Sequence, residues 1–372
     1  MKLLRISSVP DKQIKKINDE FDLQNDQNYE IALTYFFKNF INTSDAIVHA
    51  LNETGKCTAN EVIYNHKKLQ DLWLKQYNHN DGKNLSEFEV LKKQIQHFDP
   101  DVIFVNYGKV SIQELRSFVR KGVYLIAWDG FVKPVVNVYG KYDLVLTCLD
   151  SIANAYHKIG TKSEIFNFGF DKRVLDFVSL EKTERLNFVG NLTFVHAERQ
   201  TFLKKLVESG LDISLYIGNF DQGINPFSRT ILREVLQNKR IKFLSDVYQF
   251  QRKNKGVKYG IEMYKTIAQS ASTLNFHGDE VEKACNMRLF EAPGLGTCLI
   301  TDDKPGLDAF FKIDEEVVVF KNDSDLLDKV KYLQENPEIA HKIGLAGQKR
   351  IFKEHLWSHR VNNLLEIINR NI

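Results

Sequence analysis

Cysteine is scarce and scattered: Cys57, Cys148, Cys285 and Cys298 share no paired spacing. That excludes a disulfide framework and a Cys-based zinc site, and leaves reduced, packed thiols as the expectation. Long apolar runs are missing too, with nothing near the roughly 18 residues a spanning helix needs. Met1 to Pro10 reads as a short strand and a loop, without the long apolar core of a signal peptide. An excess of one charge is also lacking. Lys and Arg number 51 against 48 Asp and Glu, so nucleic acid is not an expected partner. The expected location is cytoplasmic, with peripheral contact at the inner membrane face left open. Arg252, Lys253, Lys255 and Lys258 would face an anionic membrane or a phosphorylated acceptor, against the plainer reading of a solvated loop.

What is present is an ordinary globular composition, 43% hydrophobic and 27% charged over 372 residues, enough for two domains with a core each. Leu3 to Ile6 can open a sheet, and Asn28 to Leu51 has a helical pattern. Ser86 and Glu89 form a capping-box pair ahead of Phe88, Leu91, Ile95 and Phe98, which share one helical face. Beyond Asp99-Pro100 the texture changes. Val102–Val105, Val123–Trp128 and Leu144–Thr147 are short continuous apolar runs with helical segments between them. Such runs are expected of strands buried on both faces, so βα units and a parallel sheet follow.

Phe170 to Arg185 is polar and reads as a linker, after which the alternation restarts. Strands are expected at 186–189, 213–217, 273–276 and 297–301, with helices at 197–209, 261–270 and around 287–291. Asn336-Pro337-Glu338 begins a late helix, with Asn as cap and Pro in the first turn. The expected division is 1–170, a linker 171–185, 186–355, and a closing helical segment 356–372. The expected class is α/β, two Rossmann-like βα domains with a cleft between them.

In such sheets ligands bind beyond the carboxyl ends of strands. The residues there are Asn106-Tyr107-Gly108 and Trp128-Asp129-Gly130 in the first half. In the second half they are Gly190-Asn191 with His196 and Arg199, then His277-Gly278-Asp279, then Asn286, Arg288, Glu291 and Gly294. Each has a plain alternative: a packed Trp128, an Asp-Gly turn at Asp129, a surface Arg288–Glu291 ion pair, a structural His277, a solvent-exposed His196 and a simple turn at Gly294-Leu295-Gly296. As a set they hold what a nucleotide sugar needs. A diphosphate wants Arg, Lys or helix N-terminal N–H groups, a ribose diol a carboxylate, and a hexose short polar side chains and main-chain amides. Arg199, Arg288, Glu291, Asn286, His277 and Gly190 include one of each kind, and Asn191 and Gly294 are counted with them as donor-binding. Asp129 and His196 are the candidate catalytic groups. A carboxylate at Asp129 could position an acceptor hydroxyl and take its proton.

The stretch "GIEMYKTIAQSASTLNFH" followed by "NMRLFEAPGLGTCLITD" resembles the CgeB-like glycosyltransferases, relatives of the family 4 enzymes. "FVGNLTFVHAERQTFL", "FNFGFDKRVL", "IGLAGQKRIFKEHLWSHR" and the early "HALNETGKCTANEVIYN" extend the likeness over most of the chain. The resemblance implies a GT-B architecture whose C-terminal helix crosses back to the first domain, and a nucleotide-sugar donor held by the C-terminal domain. It also implies no cofactor and no obligatory metal, and an acceptor that is a glycan, a lipid-linked or protein glycoconjugate, or a small molecule. Glu291 matches the family's ribose-binding Glu. Lys283 stands where related retaining enzymes have a second Glu, and Asn191 where they have Arg, so retention or inversion does not carry over. A non-catalytic carbohydrate- or nucleotide-binding protein and a nucleotide-sugar epimerase stay open as alternatives.

Overall fold

The computed structural model describes residues 1–372 except 21–27, 41–44, 78–84, 107–109, 132, 192–196, 219–249 and 251–252, and the side chains of 12, 16, 19, 20 and 197. The chain divides into two units, one made of residues 1–171 and 356–372, the other of 172–355.

Among the described residues the first unit is built on a sheet of six parallel strands in the order β2-β1-β3-β4-β5-β6. These are β1 (Lys2–Ser7), β2 (Thr58–Ile63), β3 (Val102–Asn106), β4 (Tyr124–Trp128), β5 (Leu144–Thr147) and β6 (Ser163–Ile165). β3, β4 and β5 are apolar along most of their length, as burial on both faces favours; Val102 to Val105 and Leu144 to Leu146 are almost wholly inaccessible. The edge strand β2 carries a different texture, with Asn60 and Glu61 inside it, and no apolar run announces it. Its register puts Glu61 beside Arg5 of β1, and both carboxylate oxygens accept from Arg5 Nη1 at 2.9 Å. Both side chains are buried, so a charged pair replaces an apolar contact inside the sheet. The short strands β6 and β11 (Val318–Phe320), the latter in the second unit, likewise fall below the length at which a sequence pattern shows.

The helical pattern from 28 to 51 divides into the helices Tyr29–Asn39 and Ala46–Glu53. The capping box forms: Ser86 N donates to Glu89 Oε2 at 2.8 Å and Glu89 N to Ser86 Oγ at 3.3 Å. The final helix, Trp357–Asn371, belongs to the first unit and packs on Ala46–Glu53. Trp357 N donates to Phe170 O at 3.0 Å and Arg360 Nε to Phe168 O at 2.7 Å, which ties the chain's return to the end of its first pass.

Among the described residues the second unit has five parallel strands in the order β11-β10-β9-β7-β8, where β7 is Glu184–Gly190, β8 is Ser214–Ile217, β9 is Ser270–Asn275 and β10 is Cys298–Asp302. Its core joins Leu186, Phe188, Leu215 and Ile217 to Leu274, Ile300 and Phe320, with Leu203 and Val330 from the covering helices. Much of the expected linker is structured. Lys172–Phe177 forms a 3-10 turn, and β7 already begins at Glu184. At Pro337 a helix starts as expected, but Asn336 Nδ2 bonds back to Tyr332 O instead of capping it. Gly344 of that helix lies against the turn after residue 294: a Cβ there would stand 2.5 Å from Gly296 O and 3.0 Å from Cys298 N. Gly344→Ala is therefore expected to cost about 1–3 kcal/mol through overpacking against backbone, measured by urea unfolding.

His66 generates a second expectation. It caps the helix Lys67–Gln76 through Nδ1, which accepts from Leu69 N at 3.3 Å. Burial pushes its pKa down to about 4 from the usual 6.5. Protonation would remove the capping lone pair and place a cation at the positive end of a helix. The unfolded chain binds this proton more readily, so stability is full above about pH 6.5 and falls as pH drops toward 4, by up to about 3 kcal/mol. Thermal melts of the wild type and His66→Asn across that window should differ in slope, the variant showing the smaller loss.

Candidate functional site

Three parallel strands of the second unit, β7, β9 and β10, end side by side, and their carboxyl ends carry polar residues. Asn275 ends β9 and Asp302 ends β10, while Gly190 ends β7. Arg199, from the helix Ala197–Glu208, crosses from one strand end to the next. Its Nη1 donates to Asn191 O at 2.8 Å and its Nη2 to Phe276 O at 2.9 Å, with the guanidinium over the Phe188 ring. Burial lowers its pKa to about 10, which still leaves it cationic at neutral pH. Its Nε is buried and meets no acceptor among the described residues.

Arg288 opens the short helix Arg288–Gly294. Its Nη2 donates to Val189 O at 3.1 Å, and its Nη1 lies 3.2 Å from Glu291 Oε2. That second contact is an ion pair without hydrogen-bond alignment, so Nη1 has no aligned acceptor among the described residues. Glu291 is 3% exposed and also accepts from Tyr264 OH at 2.8 Å. Glu291 is buried and Arg288 largely so, which is not the surface ion pair that the spacing alone suggests. A carboxylate has about four acceptor positions, so two donors leave part of its capacity unused.

A chain of hydrogen bonds links the remaining groups. Asn286 Nδ2 donates to Asn275 Oδ1 at 2.9 Å, and Asn275 Nδ2 to Thr301 Oγ1 at 2.9 Å. Thr301 Oγ1 donates to Asp302 Oδ1 at 3.3 Å. The same oxygen accepts from His277 N at 3.0 Å and lies 2.7 Å from His277 Nδ1. Burial raises the Asp302 pKa, but the hydrogen bonds it accepts from the His277 side chain and main chain outweigh that and hold it below the usual carboxylate range. His277 is 4% exposed, and its Nε2 has no partner among the described residues.

The sequence-based candidates thus sort themselves. Gly190, Asn191, Arg199, His277, Asn286, Arg288 and Glu291 lie at or beside these strand ends. Gly294 does not work as a phosphate cradle: it closes its helix, where carbonyls rather than N–H groups are free, and its own carbonyl accepts from Gln348 Nε2 at 3.1 Å. His196 and Arg252 lie outside the described residues, as do Tyr107 and Gly108. Of the remaining basic stretch, Lys255 Nζ is held by Glu184 and by Ser214 Oγ, both at 2.8 Å. Tyr264, Asn275, Thr301 and Asp302 were not anticipated. Asp302 could have been, because it closely follows the apolar run Cys298–Ile300, whereas Asn275 ends a strand that is itself largely polar.

In the first unit, Asp129 is fully buried at the end of β4, and Trp128 packs on Phe166 and Phe168. The Asp129 carboxylate accepts from Phe131 N at 3.1 Å, Val135 N at 2.9 Å and Tyr156 OH at 2.6 Å. A carboxylate with three donors and no exposed surface shapes the loop after β4. This geometry corrects the expectation that it takes an acceptor's proton, and favours the turn.

Residues 226–366 match the protein family described as glycosyl transferase-like. Over its whole length the chain resembles the crystal structure of Anabaena HepE in complex with UDP and glucose, at 12% identity and a TM-score of 0.56, covering 100% of both chains. A glycosyltransferase from Rickettsia africae is matched at 10% identity and TM-score 0.58, covering 100% of this chain and 98% of that one. AviGT4, a glycosyltransferase of avilamycin A biosynthesis, is matched at 10% identity and TM-score 0.57, with 100% and 97% covered. A search of curated proteins finds no match. The fold is thereby that of the GT-B glycosyltransferases, two parallel-sheet α/β units, and its C-terminal part carries a glycosyl transferase-like sequence pattern. No helix among the described residues is long and apolar enough to cross a membrane.

Asp129→Asn tests the turn reading. The new amide N–H group would face donors, so unfolding should cost about 1–3 kcal/mol less than in the wild type, read by urea denaturation. Unchanged stability together with lost activity would restore Asp129 to a catalytic role.

Proposed function

We propose that the chain is a glycosyltransferase that takes a sugar from a nucleotide-sugar donor bound by the C-terminal unit and passes it to an acceptor hydroxyl. One observation carries this reading: Arg199 Nε and Arg288 Nη1 are buried donors without aligned acceptors among the described residues, at neighbouring strand ends. Buried guanidinium N–H groups left unsatisfied are costly, and a diphosphate would satisfy both. The neighbours whose structures hold UDP, glucose or UDP-glucose support the same reading.

Under it, the bond between the sugar's anomeric carbon and the diphosphate breaks, and negative charge grows on the leaving nucleoside diphosphate. Arg199 and Arg288 meet that charge and so act more on the transition state than on ground-state binding. With two guanidinium groups in place, transfer should proceed without added divalent metal. Glu291, oriented by Tyr264, accepts from the ribose hydroxyls. A hexose is the sugar class we favour, and a surface glycan or glycoconjugate the acceptor class.

A thermal-shift panel of nucleotide sugars is the direct test. A true donor at a hundred times its dissociation constant should stabilise by about 2.7 kcal/mol; no shift across the panel would overturn the reading. Kinetics then assign the residues. Arg199→Ala and Arg288→Ala should lower kcat, with wild-type turnover in both placing the phosphates elsewhere. Glu291→Gln should weaken donor binding roughly ten- to a hundredfold by calorimetry, and unchanged affinity would leave Glu291 as the anchor of Arg288 alone.

A further inference from the structure

We infer that Asp302 holds His277 as a hydrogen-bond acceptor for a hydroxyl of the donor's sugar, so that this pair selects sugars carrying a free hydroxyl at that point. The inference deepens the donor reading above and rests on it.

Direction in the hydrogen-bond chain is what decides the matter. Asn286 donates to Asn275, Asn275 to Thr301, and Thr301 to Asp302 Oδ1. The main-chain N–H group of His277 donates to that same oxygen. Every bond on this side runs toward Asp302, whose ionised carboxylate can only accept. The proton shared with His277 therefore sits on Nδ1, and in the neutral ring Nε2 carries a lone pair. The side chain of His277 is 1% exposed, so its ring cannot turn to water for a donor. Nε2 meets none among the described residues.

A buried lone pair repels a phosphate oxygen, which brings only further lone pairs. It suits an O–H group. The unmatched N–H groups of Arg199 and Arg288 suit the phosphates instead, and Glu291 suits the ribose. That division leaves a hydroxyl of the transferred sugar as the natural partner of Nε2. A site built around such a bond discriminates against an analogue lacking the hydroxyl, because the buried acceptor is then left unpaired. Asp302 acts through His277 and is a positioning residue.

Two measurements test this. Nitrogen-15 spectra of histidine-labelled wild type, taken above the histidine titration range and assigned with His277→Gln, should show His277 protonated on Nδ1 and bare on Nε2. A proton on Nε2 would overturn the proposal without any ligand. Calorimetry should then compare UDP, GDP, ADP and dTDP with their glucose or mannose esters, in wild type and Asp302→Asn. For the tightest pair, the variant should keep its affinity for the free nucleotide and lose about tenfold for the sugar ester. Equal losses for both, or no loss for the ester, would overturn the positioning role while leaving the donor reading in place. If no nucleotide or ester binds the wild type, the donor reading falls and takes this inference with it.

Discussion

Parallel pairing of every strand in both sheets is the constraint on which the rest of the molecule depends. A parallel strand covered on both faces has no room for unpaired polar side chains along its length, so polar chemistry is driven to the strand ends. In the second unit the buried strand residues Asn187, Ser270 and Thr273 each bond to a main-chain carbonyl, and the wider side-chain network lies at the strand ends. Leu274 and Ile300 are buried in the core, while Asn275 and Asp302, one and two positions further on, begin the polar network. Where a charge does enter a strand, as Arg5 and Glu61 do in the first unit, each brings its counter-charge in register. That pair is less a source of stability than a way of making its two burials tolerable.

The polar ends of β7, β9 and β10 are organised by cations bonded to main-chain carbonyls. Arg199 ties Asn191 to Phe276, and Arg288 reaches Val189. Each guanidinium spends part of its fork on the scaffold and keeps one N–H group without an aligned acceptor among the described residues. This is how a preorganised anion site is built: the cation is fixed by the fold before the ligand comes. The close approach of Gly344 to Gly296 supports the same region from behind, since it sets the turn that follows the helix bearing Arg288 and Glu291.

Much of the architecture was legible in the residues. Runs such as Val102–Val105 and Leu144–Thr147 show buried parallel strands because no other element needs so continuous an apolar stretch. Position after a strand then pointed to Gly190, His277, Arg288 and Glu291. The strands β2, β6 and β11 were not legible. The first hides a buried charge inside an edge strand, and the others are only three residues long.

Sequence by itself determined the alternation of strand and helix, the division into two βα units and the residue types gathered at the strand ends, because periodicity and local chemistry are properties of neighbouring residues. Which way each polar group faces was decided only by tertiary structure. Asp129 and Asp302 follow similar apolar strands and look alike in the sequence. One is closed off by Tyr156 and two main-chain N–H groups, while the other orients a histidine whose far nitrogen has no partner among the described residues. The difference lies in partners distant along the chain, and a carboxylate's role is set by its donors.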